Sequence, residues 1–139
     1  MSISLNQITL TLPIPPTINQ QYATVQGRRV LSSQGRKYKA NVAQHLHLAL
    51  LQHPHKKDVL HAFQSQFLSL TIIFYFQTLL RRDLDGGLKI TQDALCDALS
   101  TNDNRILEIH LTKNTDKNDP RIECILSIVK PARGLKKKT

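Results

Sequence analysis

The first 57 residues of this 139-residue chain contain no aspartate or glutamate, yet they carry Arg28, Arg29, Arg36, Lys37, Lys39, Lys56 and Lys57. That absence excludes a carboxylate site in the N-terminal part and leaves a surface suited to a polyanion. Long apolar runs are also missing. Phe67 to Phe76 is the longest, and with Ser69 and Thr71 inside it the run is far too short to span a bilayer. The N-terminus lacks a cationic start followed by an apolar block, so no secretory signal is expected and the protein is read as cytoplasmic. Cysteine is scarce: Cys96 and Cys124 have no metal-ligand spacing and are expected as reduced, half-buried core residues. The histidines make no zinc pattern, since His45 and His47 cannot share a helix face and His53 and His55 flank Pro54. Aromatic content is 5%, too little for extensive stacking of bases. Of the candidates for a wedge into DNA, Phe74, Tyr75 and Phe76, the strand position favours core packing.

What is present is a net charge of +9 and, within it, a compact acid cluster: five of the ten acids fall between Asp83 and Asp103. One domain is expected over residues 1–129, followed by a basic, flexible tail over 130–139 that holds Lys130, Arg133, Lys136, Lys137 and Lys138. Ile3 to Leu12 alternates and reads as a strand, stopped by Pro13, Pro15 and Pro16. Gln20 to Leu31 reads as a hairpin turning at Gly27. Ser32 or Ser33 caps a helix running to about Gln52, and residues 54–66 read as a loop. Phe67 to Gln77 is expected as a central strand covered on both faces. A second helix follows over Leu88 to Leu99, then strands over Ile106 to Lys113 and Arg121 to Val129. The fold class is therefore α+β, a mixed sheet with two principal helices.

The chemistry concentrates in Arg81-Arg82-Asp83-Leu84-Asp85-Gly86-Gly87-Leu88-Lys89. Asp83 and Asp85 would share one face of an extended segment. Two such carboxylates without a cation repel, so one protonates or a metal neutralises both. Mg²⁺ takes carboxylates, waters and phosphate oxygens, which suits a nucleic-acid substrate. Asp103, in the turn after the second helix, is the candidate third ligand. Lys89 would face the scissile phosphate or orient a carboxylate, and Arg81 and Arg82 would clamp phosphate. Taken alone, a D-x-D pair in a loop is more often a solvated turn. A calcium loop is excluded, because its fifth and twelfth positions would be Gly87 and Ala94. Asp93 and Asp97 read as a solvated or capping helix face, with Asp93 able to support the site from behind.

These residues give a resemblance. Leu12-Pro13-Ile14-Pro15-Pro16-Thr17-Ile18-Asn19 resembles the N-terminal L-P-x-P-P-S-x-N segment of the RusA family of Holliday junction resolvases. Gly27-Arg28 and Ser33-Gln34-Gly35-Arg36-Lys37-Tyr38 resemble its basic hairpin and helix start. Arg82-Asp83-Leu84-Asp85 with Lys89 resembles R-D-x-D-N-x-x-K, Asp93-Ala94-Leu95 the following helix, and Asn102-Asp103-Asn104-Arg105-Ile106 the D-D-x-Q-[IV] turn. The chain departs at Gly86 (Asn in the family), Asn102 (the first acid) and Arg105 (Gln), and the segment between Asp93 and Asp103 is about one residue shorter. The resemblance implies a prophage or bacteriophage type of endodeoxyribonuclease. Asp83, Asp85 and Asp103 would hold Mg²⁺, with Mn²⁺ as a substitute, and Lys89 would be the essential lysine. It further implies a homodimer making paired nicks in a four-way junction during recombination and repair. Arg28, Arg29, Arg36 and Lys37 would join Arg81, Arg82 and Lys89 on the DNA. The rivals are a nuclease for other branched DNA and an inactive branched-DNA-binding protein.

Overall fold

A computed structural model describes residues 2–80 and 82–131. Two antiparallel strands open the chain, β1 (Ser2–Ile3) and β2 (Gln7–Leu12). The single strand expected over Ile3 to Leu12 is thus broken at Ser4 to Asn6, where the Ser4 amide and hydroxyl both donate to the Gln7 carbonyl. Serine and asparagine compete for backbone partners and so favour such turns. A short helix α1 (Ile18–Gln21) leads into the hairpin β3 (Tyr22–Val25) and β4 (Arg28–Leu31). Gln26 and Gly27 both have positive φ at its turn, the backbone that a two-residue hairpin requires.

Helix α2 (Ser33–Leu51) starts where expected, with the Ser32 hydroxyl accepting from the Gly35 amide. Its buried stripe is Tyr38, Val42, Leu46 and Leu50. The expected loop over residues 54–66 is corrected: Lys56–Ser65 forms helix α3. Val59 and Phe63, four residues apart and fully buried, supply its apolar stripe, and Asp58 in the first turn suits the helix dipole. Strand β5 (Phe67–Phe76), helix α4 (Leu88–Leu99), β6 (Ile106–Thr115) and β7 (Arg121–Val129) complete the domain.

The five-stranded sheet has the order β1-β2-β7-β5-β6, with β5 parallel to β6 and antiparallel to β7. Strand β5 is interior but covered on one face only. Leu68, Leu70, Ile72, Phe74 and Phe76 are buried against the helices, while Thr71, Ile73 and Tyr75 remain half-buried on the other face. Both thiols are buried rather than half-buried. Because β5 and β6 are parallel, the chain between them crosses over through α4, which packs on α2. The loop that leaves the carboxyl end of β5 carries Asp83 and Asp85.

Candidate active site

The β5–α4 loop is strapped down from two sides. Lys113 on β6 donates from Nζ to the Leu79 carbonyl (2.7 Å) and to the Arg82 carbonyl (3.0 Å). Arg82 donates from Nη2 to the Pro15 carbonyl (2.9 Å), and its guanidinium lies 5.3 Å from the Phe76 ring centre. Partial burial lowers the Arg82 pKa, and the side chain tethers the loop in addition to any phosphate it meets. Gln21, 1% exposed, bridges the same two segments: Nε2 donates to the Pro16 carbonyl (2.7 Å) and the Gly86 carbonyl (2.9 Å). Tyr38 anchors the start of the proline segment, its hydroxyl donating to the Pro13 carbonyl (2.8 Å). Gly87 completes the join, because a Cβ there would lie 2.5 Å from Pro15 Cγ and 3.0 Å from Phe74 Cε1. Proline-rich segment and acid turn are therefore one wall. Gln21 and Lys113 have no signal in the sequence, and Tyr38 shows there only as part of the helix-start motif, since their roles depend on segments distant along the chain.

Residues Asp83 to Gly87 form a turn, with the Gly86 amide donating to the Asp83 carbonyl (3.4 Å) and the Leu88 amide to the Asp85 carbonyl (3.2 Å). The extended segment expected for the D-x-D pair is not what forms. The chain reverses directly into α4, and Leu84 packs against the core while Asp83 and Asp85 stay exposed. Among the described residues neither carboxylate has a hydrogen-bond or ion-pair partner. Asp83 lines a recess of about 260 Å³ with Thr17, Ile18, Asn19, Arg82 and Gly86.

Lys89, in the first turn of α4, sits 3.0 Å from an Asp93 oxygen and 3.8 Å from an Asp103 oxygen. Its pKa is raised, first by the hydrogen bond to Asp93 and its charge, with Asp103 and the Tyr22 hydroxyl adding to this. Asp103 begins a short 3₁₀ turn (Asp103–Arg105) capped by Asn102, whose side chain accepts from the Asn104 amide (3.0 Å). Asn102, the departure from the acid pair, thus has a local capping role. Arg105 is tied to the Ser65 carbonyl at 2.9 Å. Cys96 lines the recess that holds Asp93, Asp97 and Asp103, and burial, then those carboxylates, pushes its thiol up to about 11.

Among the described residues no three His, Cys, Asp or Glu side chains stand close enough together to hold a metal. Asp103 is drawn to the Lys89 ammonium, the cation at hand. Two exposed carboxylates without a partner among the described residues, in a chain of charge +9, are nevertheless oxygen donors of the kind a hard divalent cation takes. Of the expected DNA-facing cations, Arg28 and Arg29 lie exposed on the β3–β4 hairpin, with Arg29 4.5 Å from the Tyr22 ring centre. Arg36 donates to the Leu31 carbonyl (2.8 Å) and Lys37 is exposed. Arg81 and the tail from residue 132 lie outside the described residues.

The family model described as Endodeoxyribonuclease RusA matches residues 13–127, from the proline segment through most of β7. No curated protein gives a significant match. A solved structure, 2C-methyl-D-erythritol 2,4-cyclodiphosphate synthase from Plasmodium vivax, aligns over 88% of this chain and 92% of its own. At 12% identity and a TM-score of 0.31 that likeness carries no argument about fold or activity.

Proposed function

This chain belongs to the RusA family of endodeoxyribonucleases, and from that membership we propose that it resolves four-way DNA junctions with Mg²⁺ by paired, symmetry-related nicks. The observation that carries this reading is the exposed Asp83–Asp85 turn immediately before the helix that presents Lys89 to Asp103. Asp83, Asp85 and Asp103 would hold the metal, and Mn²⁺ would substitute for Mg²⁺. When bound, the metal supplies Lewis-acid stabilisation of charge on the phosphate.

The chain's own residues do the rest. Lys89 offsets charge that develops on the phosphodiester, and Asp93 holds its ammonium in place. Closure of Asp103 towards Asp83 and Asp85 asks it to exchange a 3.8 Å ion pair with an exposed lysine, a weak contact to give up. Arg28, Arg29, Arg36 and Lys37, with Arg81 and Arg82, draw the DNA backbone to the site. Two opposed strands need two equivalent sites, which a twofold homodimer provides. No helix among the described residues is long and apolar enough to cross a membrane. We place the enzyme in the cytoplasm of a bacterium or phage-infected cell, in recombination and repair.

The binding-only reading draws on the same ion pair, since Asp103 is engaged by Lys89 rather than grouped with the other acids. Asp83→Asn separates the two. It should lower junction cleavage in Mg²⁺ by about a hundredfold or more, while junction affinity is kept or increased. Retained cleavage would remove Asp83 from the chemistry. Tight binding by the unaltered protein, with no product in Mg²⁺ or Mn²⁺, would establish the binding protein instead.

A further inference from the structure

A recess of about 310 Å³ at the carboxyl end of β5 is lined by Ile14, Phe76, Gln77, Thr78, Arg82 and Pro120. The composition suits a flat, amphipathic group: apolar side chains from Ile14 and Pro120, a guanidinium and two hydrogen-bonding side chains. The recess shares Arg82 with the neighbouring one that Asp83 lines, so it adjoins the acid turn. The same loop continues from Thr78 into Leu79 and Leu80, which are 47% and 97% exposed. An apolar side chain left almost wholly in water contributes nothing to folding by burial. Its neighbour Leu79 is held through its carbonyl by Lys113, so the exposed side chain follows a backbone group fixed to β6. Of the aromatic candidates for a wedge, Phe74 and Phe76 are 0% and 4% exposed, and half-buried Tyr75 has the Arg121 guanidinium 4.1 Å from its ring centre.

We propose that Leu80 inserts at the branch point of the DNA and that the recess lined by Thr78 and Arg82 of the same loop receives the base so unstacked. The inference rests on the branched-DNA reading above and adds a device that distinguishes a junction from a continuous duplex. Leucine is among the residues that wedge between base steps, and unstacked bases settle on apolar, aromatic and guanidinium surfaces. At a branch point the stack is already interrupted, so insertion costs less there than within a linear helix. The lost stacking is recovered only where a base has somewhere to go.

The test uses the full chain and a four-way junction with 2-aminopurine at the branch point, read in chelator so that no cleavage intervenes. Binding should raise the 2-aminopurine emission. The double variant Leu79→Ala/Leu80→Ala should lose most of that rise, and Leu80→Phe should keep it. In Mg²⁺ the double variant should cut the intact junction about tenfold more slowly, the scale of one lost base contact. It should cut a junction whose branch-point bases are already unpaired at the unaltered rate. Both residues lie in the exposed loop, and matching melting curves will confirm that the fold is kept. No emission rise with the unaltered protein, the same rise with the double variant, or equal slowing on both junctions would overturn the proposal. Metal-dependent junction cleavage alongside any of these would leave the resolvase reading standing.

Discussion

At Gly87 a single added carbon would meet Pro15 at 2.5 Å and Phe74 at 3.0 Å, whereas at Gly86 the nearest atom would be the Asp83 carbonyl oxygen at 3.6 Å. Neither glycine has the left-handed backbone that Gly27 shows. The first is therefore held by sterics and the second is free to vary. Gly87→Ala should cost about 1–3 kcal/mol of stability as Pro15 or Phe74 is displaced. Gly86→Asn, the residue usual in the family, should stay within about 0.5 kcal/mol of the unaltered protein. Urea denaturation checks both, and equal losses would show that the turn, not the packing, sets the requirement. The spacing of Asp83, Asp85 and Lys89 was legible in the sequence because it is local. The partners of Gln21 were not, since Pro16 and Gly86 come together only through the folded loop. The same holds for Lys89, whose ion pair with Asp103 needs the whole of α4 between them.

Elements were legible in proportion to their length and the evenness of their pattern. Helix α4 and strand β7 have the bounds their periodicity predicts. Helix α3 was hidden because a stripe of Val59 and Phe63 is too short to distinguish from a loop flanked by Pro54 and Ser65. Strand β5 reads as apolar on both sides, but Ile73 and Tyr75 lie on the face without helices. The turn between β6 and β7 gives a pH test. Arg121 Nη1 lies 2.8 Å from Asp116 Oδ2, and the Asn118 and Asp119 amides both donate to Oδ1 at 3.2 Å. The hydrogen bond from Arg121, and then those amides, hold the Asp116 carboxyl below the usual aspartate value. A carboxylate with a depressed native pKa stabilises the fold above its unfolded pKa and loses that contribution as pH falls through the native one. Asp116→Asn should therefore lower the melting temperature at neutral pH, and the gap should close on acidification through the low native value. A gap of constant size would mean that the ion pair contributes nothing dependent on charge.

At the scale of the whole molecule, the charge asymmetry and the order of motifs were readable before any coordinates, and the family match over residues 13–127 agrees with them. The relative placement of the three acids was not, because it depends on how α4 and the turn after it fold back beside the β5–α4 loop. A +9 protein with an acid-free N-terminal part will bind any DNA through its phosphates, with affinity falling steeply as salt rises. Binding alone is therefore a poor discriminator, and the product is what identifies the enzyme. The decisive measurement is cleavage of an end-labelled, immobile four-way junction, in Mg²⁺ and in chelator, beside a linear duplex of the same sequence. The account predicts paired nicks at symmetry-related positions, in the junction alone and only with the metal. Equal cutting of the linear duplex, or nicks that persist in chelator, would contradict it.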